Sequence, residues 1–217
     1  MKIGIIGSGN VGGALGGRWS KLGHEVVFGT RNPHGAEVQQ LAARASGKTS
    51  AASFADAARD SEVLLLATPW PATQQVVTAL GDLNGKILID ATNPFLPDLS
   101  GLALSGATSG GEQVAGWARG AKVVKAFNTV GANIMQDPGF DGHRPVIFYC
   151  GDDAPAKQVV NRLIGELLFE GVDAGPLTRA RLIEPFALLW VTLASAQGMG
   201  RDFAFELLRR HEAKSAS

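Results

Sequence analysis

Three glycines, Gly7, Gly9 and Gly12, stand in G-x-G-x-x-G register inside "GIIGSGNVGGALG". They follow an apolar run and open a stretch of helical periodicity, which is the setting in which this spacing binds a dinucleotide. Gly7 would permit the tight turn, Gly9 would let the backbone approach a pyrophosphate, and Gly12 would let the helix lie close against the strand. The helix N-terminus would offer free N–H groups and its positive dipole end to the phosphates, with further donors at Ser8, Asn10 and Val11.

A second candidate lies one strand further on, in "VVFGTRNPHG". Folds of this kind that take NAD place an Asp or Glu there to hold the adenosine ribose. Here the strand ends in Gly29, Thr30 and Arg31, with no carboxylate. A 2′-phosphate carries about two negative charges near neutral pH and suits a planar guanidinium flanked by hydroxyl donors. Arg31 and Thr30 supply both, with Asn32 and His34 as further partners, so the residues favour NADP(H) over NAD(H). The alternative reading is an ordinary polar turn after a strand.

In open α/β sheets ligands lie beyond the carboxyl ends of the strands. Three further ends read "ATPW" (67–70), "ATNP" (91–94) and "AFNT" (126–129). Their small residues and amides can hydrogen-bond a ribose or a carboxamide without adding charge. Hydride transfer asks chiefly that the nicotinamide face be held near its acceptor, and the usual catalytic groups are scarce. His24 precedes a strand, His34 belongs to the phosphate turn, His143 sits in the polar loop "GFDGHRP" and His211 lies in the tail. No H-E-x-x-H, Cys/His cluster or G-x-S-x-G occurs, so no metal site and no serine hydrolase is expected. Lys125, near a strand end, is a candidate acid toward a carbonyl; no other catalytic residue is assigned. A flavin or deazaflavin needs no strong acid–base pair, and Trp70, Phe95, Leu96, Val130, Ile134 and Met135 would supply an apolar lining.

The elements that must position these residues alternate: short apolar runs, then longer helical patterns, the mark of βαβ units. The expected fold is α/β, a Rossmann-type doubly wound, mostly parallel sheet with a small C-terminal α/β segment. The division falls into a dinucleotide-binding domain over 1–144 and a strand–helix–strand–helix segment over 145–217. In that segment Asp153 is expected to cap a helix, Pro155 to occupy its first turn and Gly171 to end it. Pro185 should kink the final helix or mark its start. The apolar residues of that helix, Leu182, Ile183, Phe186, Leu189, Trp190 and Leu193, cover more than one face. A second subunit would cover the outer one, making a homodimer; the alternative is burial within the same chain.

With 217 residues, 45% hydrophobic and 18% charged, and no formal net charge, the chain suits one compact unit and gives no basic surface for nucleic acid. The single cysteine, Cys150, excludes an intrachain disulfide and reads as a small buried hydrophobe. No run approaches the roughly 20 apolar residues that span a bilayer, and the first apolar run enters a glycine loop instead of a cleavage site. A cytoplasmic protein acting on a small-molecule redox acceptor, with no membrane partner, is expected.

Taken together, "TRNP", "ATPW", "VVKAFNTVGANIM" and "DAGPLTRARLIEPFALLW" resemble the coenzyme F420-dependent NADP oxidoreductases. The N-terminal fold is also similar to the cytoplasmic domain of the six-transmembrane metalloreductases, which share a "VKAFN"-like strand. The resemblance spans residues 2–194. It implies an NADPH-binding Rossmann domain, often dimeric, that passes a hydride to a deazaflavin or flavin. By position it implies that Ser8, Gly9, Asn10 and Val11 hold the pyrophosphate and that Thr30 and Arg31 hold the 2′-phosphate. Ala67, Thr68 and Pro69 would line the nicotinamide side, with Asn93 and Ala126 close to the nicotinamide ribose. Two other readings remain: a small imine or β-hydroxyacid-type reductase, and a non-catalytic NADP sensor.

Overall fold

The structure, a computed structural model, describes residues 1–45, 47–104 and 106–210. Eight strands form one sheet: β1 (Lys2–Ile6), β2 (Glu25–Thr30), β3 (Thr49–Ser53), β4 (Val63–Leu66), β5 (Ile87–Asp90), β6 (Lys122–Lys125), β7 (Val146–Gly151) and β8 (Glu170–Asp173). Between them run α1 (Asn10–Lys21), α2 (Ala36–Arg44), α3 (Phe54–Asp60), α4 (Trp70–Thr78), α5 (Gly110–Trp117), α6 (Ala132–Gln136) and α7 (Ala154–Glu166). A 3-10 turn, Leu177–Arg179, then leads into α8 (Ala180–Val191) and a π-helical turn.

The strand order is β3-β2-β1-β4-β5-β6-β7-β8. All neighbours are parallel except β6 and β7, which run antiparallel through Lys125↔Cys150. This is the expected Rossmann-type α/β sheet, with one reversed strand at the junction with the last segment. The chain winds from β1 toward β3 in one direction and from β4 toward β6 in the other. A crevice therefore opens beyond the carboxyl ends of β1 and β4, where ligands bind in such sheets.

Both faces of the sheet are covered, and successive residues of a central strand supply opposite cores. Val63 and Leu65 of β4 join Leu15 and Trp19 of α1 and Leu163 of α7. Leu64 and Leu66 join Val76 and Val77 of α4, Val114 of α5 and Ile183 of α8. That double burial explains why "VLLL" is continuously apolar instead of alternating.

In the last segment Asp153 caps α7 by accepting from Ala156 N at 2.8 Å, and Pro155 sits in its first turn. Gly171 does not end that helix. It lies in β8, and Leu168 makes the left-handed turn instead, at φ 67°. A Cβ at 171 would sit 2.0 Å from Asn161 Oδ1, so a larger residue there would displace that exposed side chain. Pro185 lies inside α8, well past its start. The chain then runs back along β7, where Val146 N donates to Phe205 O at 2.9 Å and Phe203 stacks on Trp190. Residues 211–217 of the C-terminal segment, His211 included, lie outside the described residues.

Candidate cofactor site

The parallel register brings five strand ends to one row. Gly7 N donates to Gly29 O, Ala67 N to Ile6 O, Ala91 N to Leu66 O and Ala126 N to Asp90 O, so the segments after β1, β4, β5 and β6 leave the sheet side by side, next to the end of β2. Sequence-distant residues meet there because the hydrogen-bond ladder permits only this alignment.

Within the glycine loop the three glycines are required for different reasons. Gly7 has φ 114°, and a Cβ on it would lie 2.5 Å from Ala67 O; one on Gly12 would lie 1.9 Å from Gly7 O. These two are dictated by the chain's own packing. Gly9 has an ordinary φ of −73° and nothing within 4 Å of where its Cβ would be. The space it leaves open adjoins the start of α1, where no side chain caps the helix and the first turn holds no acidic residue. The leading N–H groups of α1 thus have a positive potential and no protein side chain on them, as an anion site requires.

Gly7, Ser8 and Gly9 form one wall of a cavity of about 410 Å³. Thr30, Arg31, Ala67, Thr68 and Pro69 share it, so eight residues singled out in the sequence line one space. Arg31 is exposed and takes part in no salt bridge among the described residues. Thr30 Oγ1 accepts weakly from Asn32 N at 3.4 Å, which leaves its hydroxyl proton free to donate. Asn32 itself is not on the wall; it shapes the turn, its carbonyl accepting from Gly35 N. His34 is exposed and also off the wall. Phe54, Gln75, Val76 and Ala79 close the far side. Sequence reading passed over them because nothing local in "FADAARD" or "PATQQVVTAL" distinguishes a wall residue from helix packing.

Asn10 lines a separate cavity of about 470 Å³ with Ala132, Asn133 and Arg201, and Val11 and Gly12 lie within the first turn of α1. Ala126 is fully buried. Asn93 and Asn128 join the ends of β5 and β6: Asn93 Nδ2 donates to Asn128 O at 2.9 Å and Asn128 Nδ2 to Asn93 Oδ1 at 3.0 Å. Just before Asn128, Phe127, fully buried and edge-on to Trp19, holds φ 61°. A non-glycine residue there costs about 1–3 kcal/mol, a kind of strain that gathers at functional sites. Asn128 Oδ1 and Thr129 Oγ1 are buried without a protein partner, an unmet capacity of the sort that a ligand satisfies.

Lys125 cannot serve as the acid considered above. Its Nζ donates to Asp90 Oδ2 at 2.9 Å and Thr92 O at 2.6 Å, and pairs with Glu184 Oε1 at 2.9 Å. All three N–H groups are used and the side chain is fully buried. Burial alone would lower its pKa, but the carboxylates of Asp90 and Glu184 outweigh that and hold it above the ordinary lysine value. His24 and His143 are each paired with a glutamate at 2.8 Å, Glu166 and Glu206, away from the cavity. Cys150 is buried and free, as expected.

A profile of the NADP oxidoreductase coenzyme F420-dependent family matches residues 2–94. The F420-dependent NADP reductase of Methanothermobacter marburgensis is 30% identical over 210 residues, covering 89% of this chain and 92% of that protein. The chain belongs to the F420-dependent NADP oxidoreductase family. The match to this family is also structural. A crystal structure from Arthrobacter sp. FB24, given the provisional description of an F420-dependent NADP reductase, superposes with a TM-score of 0.87 at 35% identity and covers 96% of this chain and all of that one. The rat metalloreductase STEAP3 is 31% identical over 187 residues, and there this chain spans only 36% of the relative's length. No helix among the described residues is long and apolar enough to cross a membrane.

Proposed function

We propose that this chain binds NADP(H) in the crevice beyond β1 and β4 and exchanges a hydride with a deazaflavin such as F420, or with a flavin. The observation that carries this reading is Gly9: neither its backbone angle nor its neighbours require glycine, and the volume it leaves empty adjoins the uncapped start of α1. Arg31, on the same cavity wall, supplies a cation where a 2′-phosphate would lie. The residues present therefore fit NADP(H).

The N–H groups of Asn10, Val11 and Gly12, together with the backbone of Ser8 and Gly9, would bind the pyrophosphate. Arg31 and Thr30 would grip the 2′-phosphate, with Phe54, Gln75 and Ala79 around the adenosine. Ala67, Thr68 and Pro69 would flank the nicotinamide half, and Asn93, Asn128 and Thr129 would face its polar groups; Ala126 would contribute through its backbone. When bound, the cofactor supplies or takes up the hydride. No side chain needs to supply a proton, and with Lys125 committed the residues favour a ring acceptor over a ketone or imine. The outer face of α8 supports pairing with a second copy, since Leu182 and Leu189 are 64% and 48% exposed there.

The test follows the nicotinamide absorbance of NADPH with F420, FMN, a set of ketones and imines, and no acceptor. Oxidation dependent on F420 or FMN is expected. Turnover confined to ketones or imines would point to the reductase alternative, and tight binding without turnover would make the chain a sensor.

A further inference from the structure

Beneath the loops at the nicotinamide end lies an ionic cluster that cofactor binding does not use. Asp90, Lys125 and Glu184 are 0%, 0% and 1% exposed. Two carboxylates against one ammonium leave an excess negative charge. The N-terminus of α5 balances it: Gly110 N and Gly111 N each donate to Glu184 at 2.9 Å. The two glycines leave little room to spare: a Cβ on Gly110 would press on Glu184 Oε1 at 3.0 Å, and one on Gly111 on the Ala180 Cβ at 3.1 Å.

Such a cluster is a poor source of stability, because apolar residues of similar shape would serve as well or better. What it does is fix geometry. Lys125 holds Thr92 O, and Asp90 Oδ1 accepts from Thr92 N at 2.9 Å and Thr92 Oγ1 at 2.7 Å. The next residue is Asn93, whose amide is interlocked with Asn128. Polar contacts thus run from α8 through Glu184 and Lys125 to Thr92, and the peptide bond carries the link on to Asn93 and its partner Asn128. Arg181 separately ties α8 to Glu112 of α5 with two hydrogen bonds, 2.8 and 2.6 Å long, so α8 has an anchor that does not involve Glu184.

We propose that Glu184 and Lys125 are positioning residues for the hydride-transfer end of the site, setting Asn93 and Asn128 through Thr92. This rests on the reading that those two amides serve the nicotinamide half of the cofactor. Glu184→Gln keeps the side-chain shape but turns an N–H2 group toward a backbone N–H or toward Lys125. Backbone hydrogen exchange over residues 91–95 and 127–131 is expected to rise about tenfold or more, with residues 2–12 unchanged. The NADPH dissociation constant should hold, while the fluorescence lifetime of the bound nicotinamide shortens. With F420 or FMN as acceptor, kcat should fall roughly 10- to 100-fold at constant KM for NADPH.

Lys125→Met should reproduce the pattern; if it does not fold, Glu184→Gln alone decides. A lower melting temperature with wild-type loop exchange and nicotinamide lifetime in the folded protein would overturn the proposal and leave the cluster merely structural. Failure of the wild-type protein to bind NADPH would instead sink the cofactor reading, and the exchange measurement would still report whether α8 governs the two loops.

Discussion

Single residues separate the packing reason for a glycine from the binding reason. Gly12→Ala should destabilise the fold by about 1–3 kcal/mol or more through overpacking, because its Cβ would lie 1.9 Å from Gly7 O. Gly9→Ala, a change at the N-cap of α1, should cost no more than about 1 kcal/mol, less than Gly12→Ala, and weaken NADPH in a fluorescence titration. At Cys150, burial pushes the thiol from its ordinary 9.0 up to about 12. The folded protein keeps that proton while the unfolded chain loses it above about pH 9. Stability should therefore fall by about 1.4 kcal/mol per pH unit between pH 9 and 12 on this account. Denaturant unfolding at rising pH should show a shallower fall in Cys150→Ala, and equal slopes would contradict the assignment. That Thr30 and Arg31 stand together at the end of β2, beside the glycine loop, was legible in the sequence because both lie in one turn. Glu184 was not: its carboxylate is explained only by Lys125 and two backbone N–H groups that lie far away along the chain.

Elements were legible where their signals lay within their own span. Asp153 and Pro155 mark the start of α7 as the residues require, and Asp153→Ala should cost about 1 kcal/mol, lowering the melting temperature by about 2–4 °C in a chain of this size. Gly171 misled because a glycine after a helical pattern reads as a stop, whereas this one lies in β8 against the side chain of Asn161 of α7. The reversal of β7 left no local trace. "PVIFYCG" carries the same apolar run in either direction, and the long connection from β6 permits both. The return of residues 201–210 along β7 was hidden for a similar reason, since its anchors, Trp190 and Phe186, belong to α8.

At the scale of the whole molecule, the doubly wound order opens a crevice beyond β1 and β4, and α8 packs against α5 and β7 with Leu182 and Leu189 exposed on its outer face. Should that face pair with a second copy, sedimentation should give a dimer, and Leu182→Glu with Leu189→Glu should yield a folded monomer; a wild-type monomer would contradict the pairing. The cofactor reading depends on the proposed phosphate grip at the end of β2. Calorimetric titration of the wild-type protein and Arg31→Ala with NADPH and NADH tests it most directly. The account predicts that the wild-type protein prefers NADPH and that the variant loses about 1.5–3 kcal/mol for NADPH, the worth of a hydrogen bond to a charged group, with little change for NADH. Equal weakening of both cofactors, or a wild-type protein that binds neither, would contradict it.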